Sequence, residues 1–266
     1  MKKTTVKSEC QQLTLSVKKC AVMHMRPRRR DHLPPVLYDV HSINLPTVDD
    51  FTDLGVTYDK HFSFSAHIDK VVTKAAQRAK LILKCFSTRD PVVLMRAFNT
   101  YVRPILEYAT VVWSPVLKQD IRKLEGVQKR FTKRLSGMSN LQYEARLKAL
   151  SSTSLEQRRI RNDLITCYTY LNNLCEIGNL DSLRVSEVTQ TRGHMMKLAR
   201  SFCRTSQLLH SFEHRVITVW NSLPSHLVCS PSLASFKKNL ERYNLSKFCI
   251  VFFRNLVYFC VYSTTL

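Results

Sequence analysis

The spacing of apolar residues changes near residue 65, which divides the chain into two kinds of structure. Before it, apolar residues form short runs at 13–25, 36–40 and 51–58, interrupted by Arg-Pro and Pro-Pro steps that cannot continue a regular element. These runs predict short strands, with those at 36–40 and 51–58 on either side of a turn at 44–50. They would form a small antiparallel sheet with an open edge.

After residue 65, apolar residues recur every three or four positions, as on one face of a helix. Ser65 is suited to cap a first helix of about six turns. Asp90-Pro91 has the composition of a second helix start, and Pro104 is expected to kink or split that helix. Further helices are predicted at 118–136, 140–150 and 154–174.

The predicted fold class is therefore mainly α with a small antiparallel β part at the N-terminus, an α+β arrangement. Residues 65–175 form a helical bundle in this prediction. Residues 176–206 lose the helical spacing and are interpreted as a linker. A small C-terminal helical unit follows at 207–243, and 244–266 form an apolar tail.

The charge of the chain narrows the choice of partners. Lys and Arg number 41 against 20 Asp and Glu, for a formal charge of +21 and a sequence pI near 9.8. Such a chain suits nucleic acid or an anionic membrane surface. Nine Cys without a close CxxC pair indicate reduced thiols in an intracellular protein of the nucleus or cytoplasm. No apolar run follows the basic N-terminus, so a secretory signal is not expected. Residues 26–30, Arg-Pro-Arg-Arg-Arg, have the composition of a nuclear localisation signal or of an exposed basic loop.

Basic residues concentrate on one predicted helix. Nine Lys or Arg stand against three acids in 118–148. Lys129, Arg130, Lys133 and Arg134 project from the flank opposite an apolar row. Phosphates on this flank would offset the repulsion between like charges, through contacts that are largely indifferent to sequence. An ordinary solvated face is the alternative, and the local excess of charge favours nucleic acid. We call these four residues the strip, which Lys118, Arg122 and Lys123 extend along the same helix. Basic residues of other helices are expected to form neighbouring walls beside it: Lys74, Arg78, Arg158, Arg159 and Arg161.

Four aromatic residues occur near the strip, and their role can be predicted from their spacing. Tyr101, Tyr108, Trp113 and Phe131 could stack on bases. Their helical spacing favours core positions instead.

Several ordered blocks carry a resemblance to a known family. Asp53-Leu54-Gly55-Val56, Ser87 to Pro91, Thr100 to Tyr108 and Trp113-Ser114-Pro115 follow one another at compatible distances. A second set occurs at 212–224 and 231–237. Together, over residues 13–243, they resemble the end of the palm, the thumb and the C-terminal region of reverse transcriptases from non-LTR retrotransposons of the LINE and jockey group. On this resemblance residues 1–64 are a palm remnant with a β-hairpin, and 65–175 are thumb-like.

The resemblance implies RNA-directed DNA polymerase activity for the parent family, with Mg²⁺ held by paired carboxylates. Residues 13–23 resemble the segment that follows those carboxylates in the family, so we expect no catalytic and no metal-binding residue in this chain. Cofactors are therefore expected only in the intact parent polymerase, as Mg²⁺. By the same resemblance Lys19 is a palm basic residue near the departing pyrophosphate. Leu54, Gly55 and Val56 begin the hairpin that grips the primer end.

Asp49-Asp50 is an adjacent Asp pair like the family's catalytic pair, but its context differs. Thr47-Val48 precedes it, where the family has an aromatic residue two positions before the first Asp. The pair also follows the Lys-Cys block instead of preceding it. A solvated turn before a strand is the better interpretation.

Three other patterns bear on function. His210, Glu213 and His214 match H-x-x-E-H, a zinc hydrolase pattern that needs a further ligand, and partly exposed helix histidines are the favoured interpretation. Cys203, His210, His226 and Cys229 could form a zinc knuckle, although their spacing fits no common finger. The apolar stretch 248–261 is short for a span and contains Arg254, so a membrane anchor is not favoured.

Two hypotheses remain. The first is a non-catalytic fragment of a retrotransposon polymerase that binds RNA and DNA backbone phosphates through its basic helix and contacts the missing palm in a parent polyprotein. The alternative is a stand-alone basic helical protein that binds nucleic acid or a membrane.

Overall fold

The computed structural model describes residues 16–25, 36–40, 42–175, 183–186 and 193–250. It is mainly helical, with two small antiparallel sheets of two strands each near the N-terminus, so the predicted fold class is confirmed. The chain forms two compact units, residues 1–67 and 68–266. Each unit is described by itself below.

The strands of the first unit pair locally. β1 (Asp39–Val40) pairs with β2 (Ile43–Asn44), and β3 (Asp50–Asp53) pairs with β4 (Val56–Asp59). The predicted arrangement of two strands around a turn at 44–50 is therefore wrong. Leu54 and Gly55 have φ of 46° and 81°, the left-handed backbone of a tight hairpin turn, so the chain reverses inside the segment predicted as one strand.

The strand predicted at 13–25 is also wrong over its described part, residues 16–25. A short 3₁₀ turn occupies Val17–Lys19. Val22 forms an isolated bridge, because its amide donates to the Pro46 carbonyl and its carbonyl accepts from the Val48 amide, each at 2.9 Å. The backbone of this segment is therefore satisfied at one residue without a continuous ladder.

The helices lie mostly in the second unit. Over the described residues they are α1 (Ser65–Cys85), α2 (Pro91–Tyr101), α3 (Arg103–Glu107), α4 (Thr110–Trp113), α5 (Lys118–Lys133), α6 (Tyr143–Ala149), α7 (Leu155–Leu171), α8 (Ser206–Leu209), α9 (Phe212–Asn221), α10 (Ser225–Val228) and α11 (Leu233–Arg242).

Local sequence signals account for several of these boundaries. The Asp90 carboxylate accepts from the Val92 amide at 2.8 Å, and Pro91 is the first residue of α2, as predicted. Pro104 splits the helix: α2 ends at Tyr101 and α3 begins at Arg103. Ser154 caps α7 by accepting from the Gln157 amide at 3.2 Å.

Helix α7 is the central element of the second unit. It packs against α3, α4, α5, α9 and α11. On its C-terminal side Tyr168 stacks on Phe236 with ring centroids 4.4 Å apart, beside the fully buried Trp220. Leu183 and Leu198, from the segment predicted as a linker, are buried in the same cluster. The domain boundaries at 175, 206 and 243 remain predictions.

Within the described ranges, none of the helices combines the length and apolar composition needed to cross a membrane. Residues 26–30, considered as a nuclear localisation signal or an exposed loop, lie outside the described residues, and so does the tail beyond residue 250.

Candidate nucleic-acid interface

Helix α5 is divided lengthwise into a buried half and an outward half. Eight of its 16 residues are buried: Asp120, Ile121, Leu124, Glu125, Val127, Gln128, Phe131 and Thr132. Six of the remaining eight are basic: Lys118, Arg122, Lys123, Lys129, Arg130 and Lys133. The other two are Gln119 and Gly126, so no acidic side chain of the helix faces outward. We call this half, together with Arg134 at the helix C-terminus, the cationic face.

The amphipathic spacing explains why the basic residues face outward. Apolar residues of α5 recur at three- and four-residue intervals, and burying them against the core turns the intervening positions to solvent. Phe131 packs on Phe98 with ring centroids 4.7 Å apart, which fixes the C-terminal half of the helix.

The two acids of α5 are both buried, with different partners. The Glu125 carboxylate accepts from the amides of Leu155 and Glu156, at 3.2 and 3.3 Å, and from the Tyr143 hydroxyl. It therefore caps the N-terminus of α7 from the back of α5, where the helix dipole favours an anion. Burial raises the pKa of Glu125, although these hydrogen bonds oppose the shift.

A buried arginine holds the segment that follows α5. Arg146 donates to the Leu141 carbonyl at 2.6 Å, to the Lys129 carbonyl at 3.2 Å and to the Thr132 hydroxyl at 3.2 Å. These bonds join the last turns of α5 to the Leu141 carbonyl beyond the helix end through one guanidinium group. One of the nine basic residues in 118–148 is thus structural.

The strongest predicted binding residues lie where the sequence indicated. Lys129, Arg130, Lys133 and Arg134 are exposed, and so is Arg122. The acids of the described ranges form no ion pair with any of these five side chains. Their charges therefore remain available to an external anion.

Lys123 differs from its neighbours on the cationic face. Its ammonium group lies 2.7 Å from an Asp69 oxygen and 3.2 Å from an Asp120 oxygen. The hydrogen bond to Asp69 is the main cause of its raised pKa. Because two carboxylates already neutralise it, Lys123 is less available than predicted. The same contact brings the start of α1 beside α5.

Lys74 and Arg78 are exposed one helical turn apart on α1. Asp69 ties this helix to α5, but Lys74 and Arg78 follow Asp69 by five and nine residues, which turns them to other sides of α1, so their role as a neighbouring wall remains a prediction.

The other predicted wall, from the arginines of α7, is wrong. Arg158 forms a two-pronged ion pair with Glu107, and Arg159 is buried. Burial lowers the pKa of Arg161, which is only partly exposed. These side chains face the protein because α7 is the central helix, which its sequence did not reveal.

The aromatic prediction is half right. Trp113 and Phe131 are buried, and the Trp113 indole donates to the Tyr108 carbonyl at 2.7 Å. Tyr101 and Tyr108 were also expected in the core, but they are 53% and 57% exposed. The breaks around Pro104 and Ala109 change the helical phase on which that expectation rested.

The palm-like residues belong to the first unit. Lys19 is exposed on the 3₁₀ turn. Leu54 and Gly55 form the tip of the β3–β4 hairpin, where Leu54 is 82% exposed, and Val56 is buried. The hairpin itself is present, and its role in gripping a primer remains a prediction.

Asp49 forms an ion pair with Lys60 at 3.1 Å, its side chain is 79% exposed, and Asp50 starts β3. This geometry is that of a solvated turn before a strand.

Of the H-x-x-E-H residues, His214 is buried and both ring nitrogens contact serine hydroxyls, Ser201 at 2.9 Å and Ser211 at 3.2 Å. The described residues contain no group of three or more His, Cys, Asp or Glu side chains placed to hold a metal.

Comparison with known proteins assigns the chain to no family. No family model matches the chain, and no solved structure matches it. The chain is similar to a Caenorhabditis elegans protein whose name is Uncharacterized protein B0403.1. The two are 28% identical over 137 residues, which span 50% of this chain and 69% of the relative.

Proposed function

We propose that this chain binds the sugar–phosphate backbone of RNA or DNA through the cationic face of α5. The observation that supports this most directly is the opposite placement of charge in one helix: both acids are inside and every outward charge is positive. The contacts would be electrostatic and nearly independent of base sequence.

The cationic face holds like charges close together on one helix surface. Two cations about 6 Å apart in water repel by roughly 0.7 kcal/mol. Neighbouring cations on the face repel one another in this way. A row of phosphates opposite them would replace this repulsion by attraction and would release condensed counterions. A plain solvated face would be expected to include acidic residues at three- or four-residue spacing, and α5 has none outward.

The resemblance of the sequence to non-LTR reverse transcriptases makes template–primer a natural ligand. In this proposal the chain is a non-catalytic part of such a polymerase, with a thumb-like helix that holds the duplex. Mg²⁺ chemistry would belong to an intact parent protein that supplies the remainder of the palm.

A membrane surface is the weaker alternative. Amphipathic helices that lie on membranes place an apolar face in the lipid. The apolar face of α5 is buried in the protein core, which leaves only charge for an external partner. We propose an intracellular location, in the nucleus or cytoplasm, because nine scattered cysteines without a close CxxC pair are typical of a protein with reduced thiols.

Salt-dependent binding to a primed RNA–DNA hybrid tests the proposal. Replacing Lys129, Arg130, Lys133 and Arg134 together by Ala should lower the slope of log affinity against log salt by about three to four, because each lost phosphate contact contributes about 0.9. The matched control replaces four other exposed cations, Lys84, Lys237, Lys238 and Arg242, by Ala, with the same change in charge. Equal slopes for the two variants would refute binding at the cationic face, and thermal unfolding would verify that both are folded.

A primer-extension assay with Mg²⁺ tests the non-catalytic part of the proposal. We expect no nucleotide incorporation above a heat-inactivated sample. Incorporation that depends on the folded protein would overturn it.

A further inference from the structure

Gly126 lies in the middle of the cationic face. Arg122 and Lys123 precede it by four and three residues, and Lys129 and Arg130 follow it by three and four. Residues at these spacings are neighbours on a helix surface, so four basic side chains surround the one position of α5 without a side chain. Glycine weakens a helix interior relative to alanine, and this position is not required for a turn.

The Arg130 guanidinium group occupies the space above Gly126. A Cβ atom at residue 126 would lie 3.0 Å from Arg130 Nη1 and 3.7 and 3.8 Å from Cζ and Nη2. Arg130 therefore folds back along the helix over the glycine, towards Arg122. A side chain at 126 would lift the guanidinium group away from the helix surface.

From this geometry we propose that Gly126 is the floor of a subsite for one backbone phosphate, held by Arg122, Lys129 and Arg130. Because residue 126 has no Cβ, the Arg130 guanidinium lies against the helix among its basic neighbours, and its planar group can donate two hydrogen bonds to the phosphate oxygens. Lys123 contributes less because Asp69 and Asp120 hold it. This inference rests on the proposed function and deepens it, because it distinguishes one phosphate from the diffuse attraction of the whole face.

Substitutions at Gly126 separate the subsite from helix stability. Gly126→Ala should raise the melting temperature, because alanine is the better helix former, and should weaken binding to the primed hybrid by about threefold. Gly126→Leu should weaken binding by about tenfold and lower the salt slope by about one. The control Ala234→Leu enlarges an apolar side chain at an exposed position of α11, outside the cationic face, and should leave affinity within about twofold.

The outcomes distinguish the two proposals. If the quadruple variant loses its salt slope but Gly126→Leu binds like the unaltered protein, the subsite is wrong and the cationic face stands. If the quadruple variant keeps its slope, the proposed function itself fails. Weaker binding of Gly126→Ala together with a lower melting temperature would also overturn the subsite, because loss of folded protein would then explain the effect.

Discussion

Helices α5 and α7 pack together and both carry several basic residues, but they use them in opposite ways. On α5 the cations face solvent and the acids face the core. On α7 the Arg158 guanidinium is paired with Glu107, and Asp163 of the same helix is paired with Arg215 of α9 at 2.8 Å. On these two helices the difference lies in where the carboxylates are: Arg158 of α7 faces Glu107, whereas Arg122 and Arg130 of α5 form no ion pair with an acid of the described ranges.

Arg159 of α7 illustrates the structural role most fully. It is buried, and burial lowers its pKa, while Glu125, Glu156 and Asp163 oppose the shift. Charges enclosed in this way are strongly coupled to one another, and removal of one leaves another unsolvated. Apart from Lys123, the cations of the cationic face lack this coupling, so their removal should affect ligand binding far more than folding.

The largest predicted effect removes a structural pair. Asp163→Ala leaves the Arg215 guanidinium without its carboxylate, and we expect the free energy of unfolding to fall by about 3–5 kcal/mol. Lys133→Ala on the cationic face is the comparison and should change it by no more than about 0.5 kcal/mol. Urea unfolding measures both, and similar losses would abolish the contrast between the two helices.

A smaller effect on stability is expected at the hydrogen bonds that join α6 to α5. Tyr143→Phe removes the hydroxyl that donates to Glu125 and accepts from Gln128, and should cost about 1–3 kcal/mol of unfolding free energy. Tyr101→Phe is the matched control, since Tyr101 is exposed, and should be close to neutral.

The same substitution should change the pH dependence of stability. Burial raises the pKa of Glu125, so the folded protein keeps a proton that the unfolded chain has already released. The unfolding free energy therefore falls as pH rises from the ordinary carboxyl range to the raised folded pKa. Because the Tyr143 hydrogen bond lowers that pKa, Tyr143→Phe should raise it and extend the fall to higher pH. A pH profile parallel to that of the unaltered protein would contradict this reading.

The smallest effect concerns two lysines on the same face. Lys129→Ala should lower the salt slope of nucleic-acid binding by about one, whereas Lys123→Ala should lower it by less, because Asp69 and Asp120 already neutralise Lys123. Asp69→Asn should steepen the slope by releasing that charge. Identical slopes for the two lysine variants would show that the ion pairs do not limit Lys123.

The cationic face could be predicted from the sequence because it depends on periodicity alone. Once Val127, Phe131 and Leu135 are assigned to the core, helical geometry turns Lys129 and Lys133 outward. The helix starts at Ser154 and Asp90-Pro91 were predictable for a similar reason, since their signals are local.

The wrong predictions concern features for which the neighbouring sequence carries no clear signal. Nothing near Arg159 in the sequence indicates that α7 lies at the centre of the unit, so its arginines were assigned to the surface. The turn of the β3–β4 hairpin was indicated by the family resemblance and not by the apolar pattern, because it places Leu54 in left-handed backbone, where Asn or Asp is the usual signal. Gly126 did carry a signal, a glycine inside a helical pattern, that the sequence interpretation left unused.

The carboxylate of Glu125 ties the orientation of α5 to the start of its neighbour. If α5 rolled about its own axis, the amides of Leu155 and Glu156 would lose their acceptor. The direction in which the cationic face points is therefore fixed by contacts on the opposite side of α5, and the polyanion that we propose would meet basic residues already turned towards solvent. Individual lysines of that face can be exchanged during evolution without turning the face away from its ligand.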